Sequence, residues 1–169
     1  DHAALHAAAQ DFIRRSGEVH VVIASAGISA GTLTEHAEDL AVIRKVMDTN
    51  LLATAATFAP FIPHMQQQKR PQDCRLVGIA SVAGIRGLPG AEAYSASKAA
   101  VISYCESLRL EMRASGIRVV TIAPGYIDTP MTKVNTYAMP FLMPADQFAA
   151  RALRTIQAGT SYRVIPWQM

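Results

Sequence analysis

At 169 residues, half of them hydrophobic and 17% charged, the chain has the size and composition of one globular domain and excludes a disordered segment. The formal charge of +3 is small and its lysines and arginines are dispersed, so no basic stripe for nucleic acid is present and no nucleic-acid partner is expected. No apolar run approaches the ~20 residues that span a bilayer, and Cys74 and Cys105 lack the spacing of a zinc site or disulfide framework, which predicts reduced thiols in a reducing, cytoplasmic compartment.

The elements alternate along the chain. "HAALHAAAQDFIRRSG" (residues 2–17) reads as a helix stopped by Gly17. "VHVVIASAG" (19–27) is a continuous apolar, β-branched run, as in strands covered on both faces. Thr34 is expected to cap a helix over about 36–48, and a second helical stretch over about 50–68 should kink or end early at Pro60 and Pro63.

"RLVGIAS" (75–81) is the second buried strand. A Gly-rich connection leads to a long helix over about 93–114, closed by Gly116. "IRVVTIAPG" (117–125) is the third strand. "PADQFAARALRTIQAG" is a helix with Pro144 in its first turn, and "YRVIPW" (162–167) is a short fourth strand. There is no internal repeat and no linker. Strands and helices at this spacing predict one α/β domain, a doubly wound parallel sheet covered by helices.

In such sheets function gathers at the carboxyl ends of the strands. Those ends are Ala24-Ser25-Ala26-Gly27, Ser81 and Pro124-Gly125, small or turn-forming residues that let a backbone approach a ligand closely. At the start of the long helix, "AYSASKAA" places Tyr94 and Lys98 four residues apart and so on one face. A free phenol titrates near ~10, and a neighbouring ammonium is expected to lower that value and make it an acid/base at neutral pH. Tyr-x-x-x-Lys alone is a weak signal. Ser81 strengthens it: it lies thirteen residues before Tyr94 at a strand end, and Gly84, Gly87, Pro89 and Gly90 let the chain turn back. A serine there can hold a carbonyl or alkoxide oxygen while the phenol moves the proton. Hydrolysis is set aside, because "GIASVAG" is not a nucleophile elbow and neither His20 nor His64 is tied to Ser81 by spacing.

Ser81, "YSASK" at 94–98, "PGYIDT" at 124–129, "DTNLLA" around Asn50, "ASAG" at 24–27 and the closing "YRVIPW", in that set and order along the chain, resemble the compact short-chain dehydrogenase/reductase family. The resemblance covers essentially the whole chain and implies a Rossmann-like fold. It implies Tyr94 as catalytic acid/base, Lys98 as the group that tunes it and bonds the nicotinamide ribose, Ser81 as the substrate-oxygen donor, and Asn50 as the holder of a relay water. On the cofactor side it implies Ala26, Gly27, Pro124, Gly125, Ile127 and Thr129 beside Tyr94 and Lys98. The implied cofactor is NAD or NADP, the implied substrate a secondary alcohol or ketone, and the implied assembly a homodimer or homotetramer. No metal is implied.

Two departures qualify the resemblance. Ala24 and Ser25 stand where the family usually has two asparagines, which predicts weaker bracing of the neighbouring strands. No G-x-x-x-G-x-G phosphate turn is found in the chain. The chain opens on Asp1, so it is expected to be roughly the C-terminal two-thirds of a single-domain enzyme, inactive alone, with "VHVVIAS" left as an exposed apolar edge. Two other readings remain. One is a silent fragment serving only in oligomer assembly, through Leu52, Ala56, Val101, Tyr104, Cys105 and Leu108. The other is isomerase or dehydratase chemistry on a sugar nucleotide. The segment 131–144, with Met131, Tyr137, Met139, Phe141, Leu142 and Met143, is expected to cover an apolar substrate, with core-facing packing as the alternative.

Overall fold

In the computed structural model, which describes residues 1–169, this alternation resolves into a parallel sheet with helices on both faces. α1 (His2–Ser16) leads into β1 (Val21–Ala24). α2 (Asp39–Met47), a π-helical turn (Asp48–Leu52), α3 (Ala53–Phe58) and α4 (Ile62–Gln67) connect β1 to β2 (Arg75–Ile79). A 3-10 turn (Val82–Gly84) and α5 (Glu92–Glu111) lead to β3 (Arg118–Pro124). The short strands β4 (Ile127–Asp128) and β5 (Met143–Pro144) precede α6 (Ala145–Ala158) and β6 (Tyr162–Ile165).

The sheet runs β1-β2-β3-β6, every neighbouring pair parallel. Its register pairs Ala24 with Gly78, Ile79 with Ile122, and Pro124 with Ile165. The segments that follow these residues therefore leave the sheet along one edge, and that alignment brings 25–27, 80–81 and 124–125 together.

Alternation along the strands sorts the core into two layers. On one face Val22, Leu76 and Val119 lie with Val101, Cys105 and Leu108 of α5 and with Phe58 and Met65. On the other, Val77, Val120 and Ile122 lie with Ala152 and Ile156 of α6. Burying each of the larger side chains among these stabilises the fold by roughly 1.5–3 kcal/mol. Val101, Cys105 and Leu108, candidates for an interface, belong to this core. Leu52 is exposed, and Ala56 and Tyr104 are half-buried. On the second face α6 leaves β1 uncovered. Val21 and Ile23 are 45% and 48% exposed, so β1 is the apolar edge that the sequence anticipates.

Several local expectations are corrected. Thr34 caps no helix: α2 begins at Asp39, with Glu38 in the cap position and no side-chain cap bond, while the Thr34 hydroxyl faces Glu92 at 3.5 Å. The stretch over 50–68 is three segments. It opens with the π turn and breaks at 59–61, as expected at Pro60, while Pro63 lies in the first turn of α4, which Ile62 starts. Pro144 is the residue before α6, not in its first turn. In the segment 131–144, Met143 alone among the six named apolar residues is buried; Met131, Tyr137, Phe141 and Leu142 are exposed. The segment is closed at its base, where Ile127 pairs with Met143.

Candidate active site

Tyr94 lies in the first turn of α5, and Lys98 one turn on is 5% exposed. Helical spacing brings the Lys98 Nζ over the Tyr94 ring, 5.7 Å from its centroid. The Nζ donates to the Ile79 carbonyl at 2.9 Å, at the end of β2. An ammonium carries three donors, so two remain to face the cleft.

The electrostatics of this pair differ from the expectation. Burial pushes the Tyr94 phenol above its ordinary value of 10.0, the Ser81 hydroxyl pulls it down, and the Tyr137 phenol adds an upward push. Lys98 is not among the influences on Tyr94. Burial in turn brings Lys98 down to about 8. Desolvation disfavours the charged form of both groups, and here it outweighs their proximity. The ammonium lies over the ring, 5.7 Å from its centroid, within the range of a cation–π contact.

Ser81 ends the segment after β2. Its Oγ accepts from the Ala83 N–H at 3.1 Å and so caps the 3-10 turn, and it also points toward the Pro124 carbonyl at 3.5 Å. Close contact of this turn with α5 depends on Gly84. A Cβ there would lie 2.6 Å from the Lys98 carbonyl carbon and 2.7 Å from the Ala99 nitrogen. The absence of a side chain at residue 84 is what lets the serine stand against the Tyr94–Lys98 helix.

Asn50 is fully buried in the π turn. Its Oδ1 accepts from the Ile28 N–H at 2.8 Å, and its Nδ2 donates to the Ile28 carbonyl and the Ser97 Oγ, both at 2.9 Å. Ser97 donates onward to the Tyr94 carbonyl at 2.7 Å. Asn50 thus ties the turn after β1 to the helix that carries the site. Gly27 lies between: a Cβ there would come within 3.3 Å of Lys98 Nζ and 3.4 Å of Asn50 Oδ1.

A cleft of about 380 Å³ at the carboxyl ends of the strands brings together Gly27, Ser81, Tyr94, Lys98, Pro124, Gly125, Ile127 and Thr129. Two predicted residues are not among its walls. Ala26 is exposed outside it, and Asn50 is buried behind Gly27. A second cavity, of about 280 Å³, adjoins the first, with Ser81, Tyr94, Gly125, Met131 and Thr132 common to both. The serine and the phenol therefore stand at the junction of two compartments.

Sequence reasoning missed Thr132 and Ser97. The Thr132 hydroxyl donates toward the carbonyls of Ile127 at 2.6 Å and Thr129 at 3.0 Å, and accepts from the Thr129 N–H at 3.1 Å. Nothing in the local sequence marks it. Ser97 was visible inside "YSASK", three residues after Tyr94, but its partner Asn50 is 47 residues away.

With this geometry in place, comparison with known proteins assigns the family. The short chain dehydrogenase family model matches residues 1–139. An uncharacterized oxidoreductase of Myxococcus xanthus is 38% identical over 91% of this chain and 59% of its own length. A 2-dehydro-3-deoxy-L-rhamnonate dehydrogenase (NAD(+)) of a Sphingomonas species is 36% identical over 78% of this chain and 51% of its own. A 2-(R)-hydroxypropyl-CoM dehydrogenase of Xanthobacter autotrophicus is 34% identical over 79% and 53%. The chain belongs to the short-chain dehydrogenase family. It spans about half the length of these relatives.

Proposed function

We propose that the protein carrying this chain is an NAD(P)-dependent oxidoreductase that interconverts a secondary alcohol and a ketone, with Tyr94 as acid/base. The observation that carries this reading is the placement of Tyr94 and Ser81 at the junction of two compartments, with Lys98 Nζ opening into one of them. Dehydrogenase names among the relatives support the reaction class, and the rhamnonate enzyme's name supports NAD.

The residues present fit the nicotinamide side of such a cofactor. Lys98 keeps two donors unengaged toward the cleft, and Gly27 leaves open the space that a Cβ would narrow. Lys98 would hold the ribose hydroxyls, and Pro124, Gly125, Ile127 and Thr129 would flank the nicotinamide. Bound there, the cofactor supplies the hydride acceptor or donor.

The chain's own groups do the rest. Ser81 donates a hydrogen bond to the substrate oxygen and fixes its direction. Tyr94 removes that oxygen's proton in oxidation and returns it in reduction. Lys98, charged below about pH 8, favours the phenolate once a ligand draws the two side chains together. Asn50 is a positioning residue on this reading, and a relay water next to it would carry the proton outward. A reducing, cytoplasmic setting, which two buried free thiols fit, and a homo-oligomeric assembly complete the proposal. No helix is long and apolar enough to cross a membrane.

The test is Tyr94→Phe in the protein carrying this chain, with nicotinamide fluorescence as a separate readout of cofactor binding. Loss of kcat by about 10²–10⁴-fold with binding retained is the expected outcome. A variant that keeps its rate removes Tyr94 from the chemistry.

A further inference from the structure

The cavity beyond Tyr94 has a composition that selects its occupant. Val82, Ile85, Leu88, Met131, Tyr126 and Tyr137 give it apolar walls, and Arg86 is the one charged side chain that lines it. At about 280 Å³ it lies below the ~300–1,000 Å³ range of drug-sized pockets, so it suits a short substrate.

Arg86 has no carboxylate partner. It forms none of the ion pairs in the fold, and its Nη1 donates to the carbonyl of the preceding residue, Ile85, at 2.9 Å. No aspartate or glutamate lines the cavity. Glu92, at the start of α5, faces Thr34 instead.

The position of Arg86 relative to the chemistry is set by backbone. Gly84 N–H donates to the Ser81 carbonyl at 3.0 Å, and Ile85 and Arg86 N–H donate to the Val82 carbonyl at 2.9 and 3.3 Å. One continuous hydrogen-bonded turn therefore carries both the serine that would hold the reacting oxygen and the arginine. The Leu88 N–H, bonded to Ser95 Oγ at 3.1 Å, fixes the far side of the turn to α5.

A guanidinium with free donors beside apolar walls recognises an anionic group by paired hydrogen bonds. From this geometry we infer that the substrate is a short amphipathic ketone or alcohol with an apolar body and an anionic terminus, carboxylate or phosphonate-like, held by Arg86. The inference rests on the alcohol–ketone reading of the same site and adds the substrate's charge to it.

The experiment compares methyl ketones of matched chain length ending in a carboxylate, a phosphonate or a neutral carboxamide. Turnover is followed by NAD(P)H absorbance, and binding of the same ketones is measured separately by calorimetry. Arg86 is itself exposed, so the wild-type protein is expected to favour the anionic ketones by about two- to fivefold in kcat/KM, the effect of a solvent-exposed ion pair. Arg86→Gln is expected to bring the ratio near one, and Arg86→Lys to retain part of it. A carboxylate preferred over a phosphonate, or the reverse, identifies which anion the turn accepts. Equal binding of anionic and neutral ketones in the wild type, or a preference that survives in Arg86→Gln, overturns the inference. Selective binding without turnover of any ketone overturns the redox reading and leaves the anion site standing. Thermal melts of both variants report whether the turn stays folded.

Discussion

Lys98→Met separates what the ammonium does for the reaction from what it costs the fold. The ordinary lysine value is 10.5, and burial brings Lys98 down to about 8. At about 1.36 kcal/mol per pH unit, that gap of about 2.5 is roughly 3 kcal/mol of destabilisation carried by the charged side chain. Loss of the 2.9 Å bond to the Ile79 carbonyl offsets about 1.5 kcal/mol or somewhat more. Methionine has similar length and no charge. The variant is therefore expected to be about 1–2 kcal/mol more stable than wild type near pH 7. The sign of the pH dependence follows from linkage. Between about 8 and 10.5 the unfolded lysine holds a proton that the folded one has released, so wild-type stability rises with pH across that window. The advantage of Lys98→Met should then shrink by about 2 kcal/mol between pH 7 and pH 9.5. Urea unfolding of both proteins at the two pH values measures it. An advantage that stays constant with pH, or a variant less stable at both, refutes the claim that Lys98 is buried at an energetic loss.

Gly84→Ala should destabilise by about 1–3 kcal/mol, because its Cβ would meet α5 backbone at 2.6–2.8 Å; a melting temperature within a degree of wild type counts against this close contact. Asn50→Ala leaves the Ile28 N–H and carbonyl without their partner, and a loss of about 2–4 kcal/mol is expected in chemical unfolding. Thr132→Val removes the clasp on Ile127 and Thr129, so limited proteolysis should cut within 129–142 faster in the variant than in wild type. With the Tyr94 phenol held above 10.0, the group is protonated at neutral pH. The rate of alcohol oxidation should therefore climb with pH through 7–9, while ketone reduction holds level over the same range; equal slopes in both directions would point to another proton carrier.

The fold was legible because its signals are local. Each buried strand is a β-branched run, but the long helix stops at Glu111 with Met112 at its C-cap, short of the expected 114, and Gly116, at a φ of +77°, ends the turn that follows it. What could not be read was set by contacts distant in sequence. The π turn at 48–52 has no composition of its own, yet it turns Asn50 inward to reach Ile28 and Ser97. Thr34 looked like a cap because the residue type fits, but the Leu33 N–H is taken by Asp39 at 2.7 Å, and the helix starts only there. In the site, spacing correctly brings Tyr94 and Lys98 to one face. Spacing says nothing about depth. Lys98 is nearly as inaccessible as a core valine, and that burial reverses the direction expected for the phenol.

The buried polar groups around the cleft divide by how completely the fold satisfies them. Asn50 has Oδ1 and Nδ2 engaged on Ile28 and Ser97, the Ser97 hydroxyl donates to the Tyr94 carbonyl, and the Thr54 hydroxyl donates to the Asn50 carbonyl at 2.8 Å. Replacing any of these leaves a buried partner exposed to no other donor or acceptor, so their role is to hold α5 and the turn after β1 in register. Lys98 and Ser81 behave differently. Lys98 engages one of three donors, and the Ser81 hydroxyl has, besides its contact with the Tyr94 phenol, only a 3.5 Å approach to the Pro124 carbonyl. A fold selected for stability alone would satisfy or remove such groups. Ser81 faces the junction of the compartments and Lys98 the larger of them, both with hydrogen-bonding capacity to spare. That unused capacity, beside a phenol kept protonated by burial, is what a ligand oxygen arriving at Tyr94 would complete.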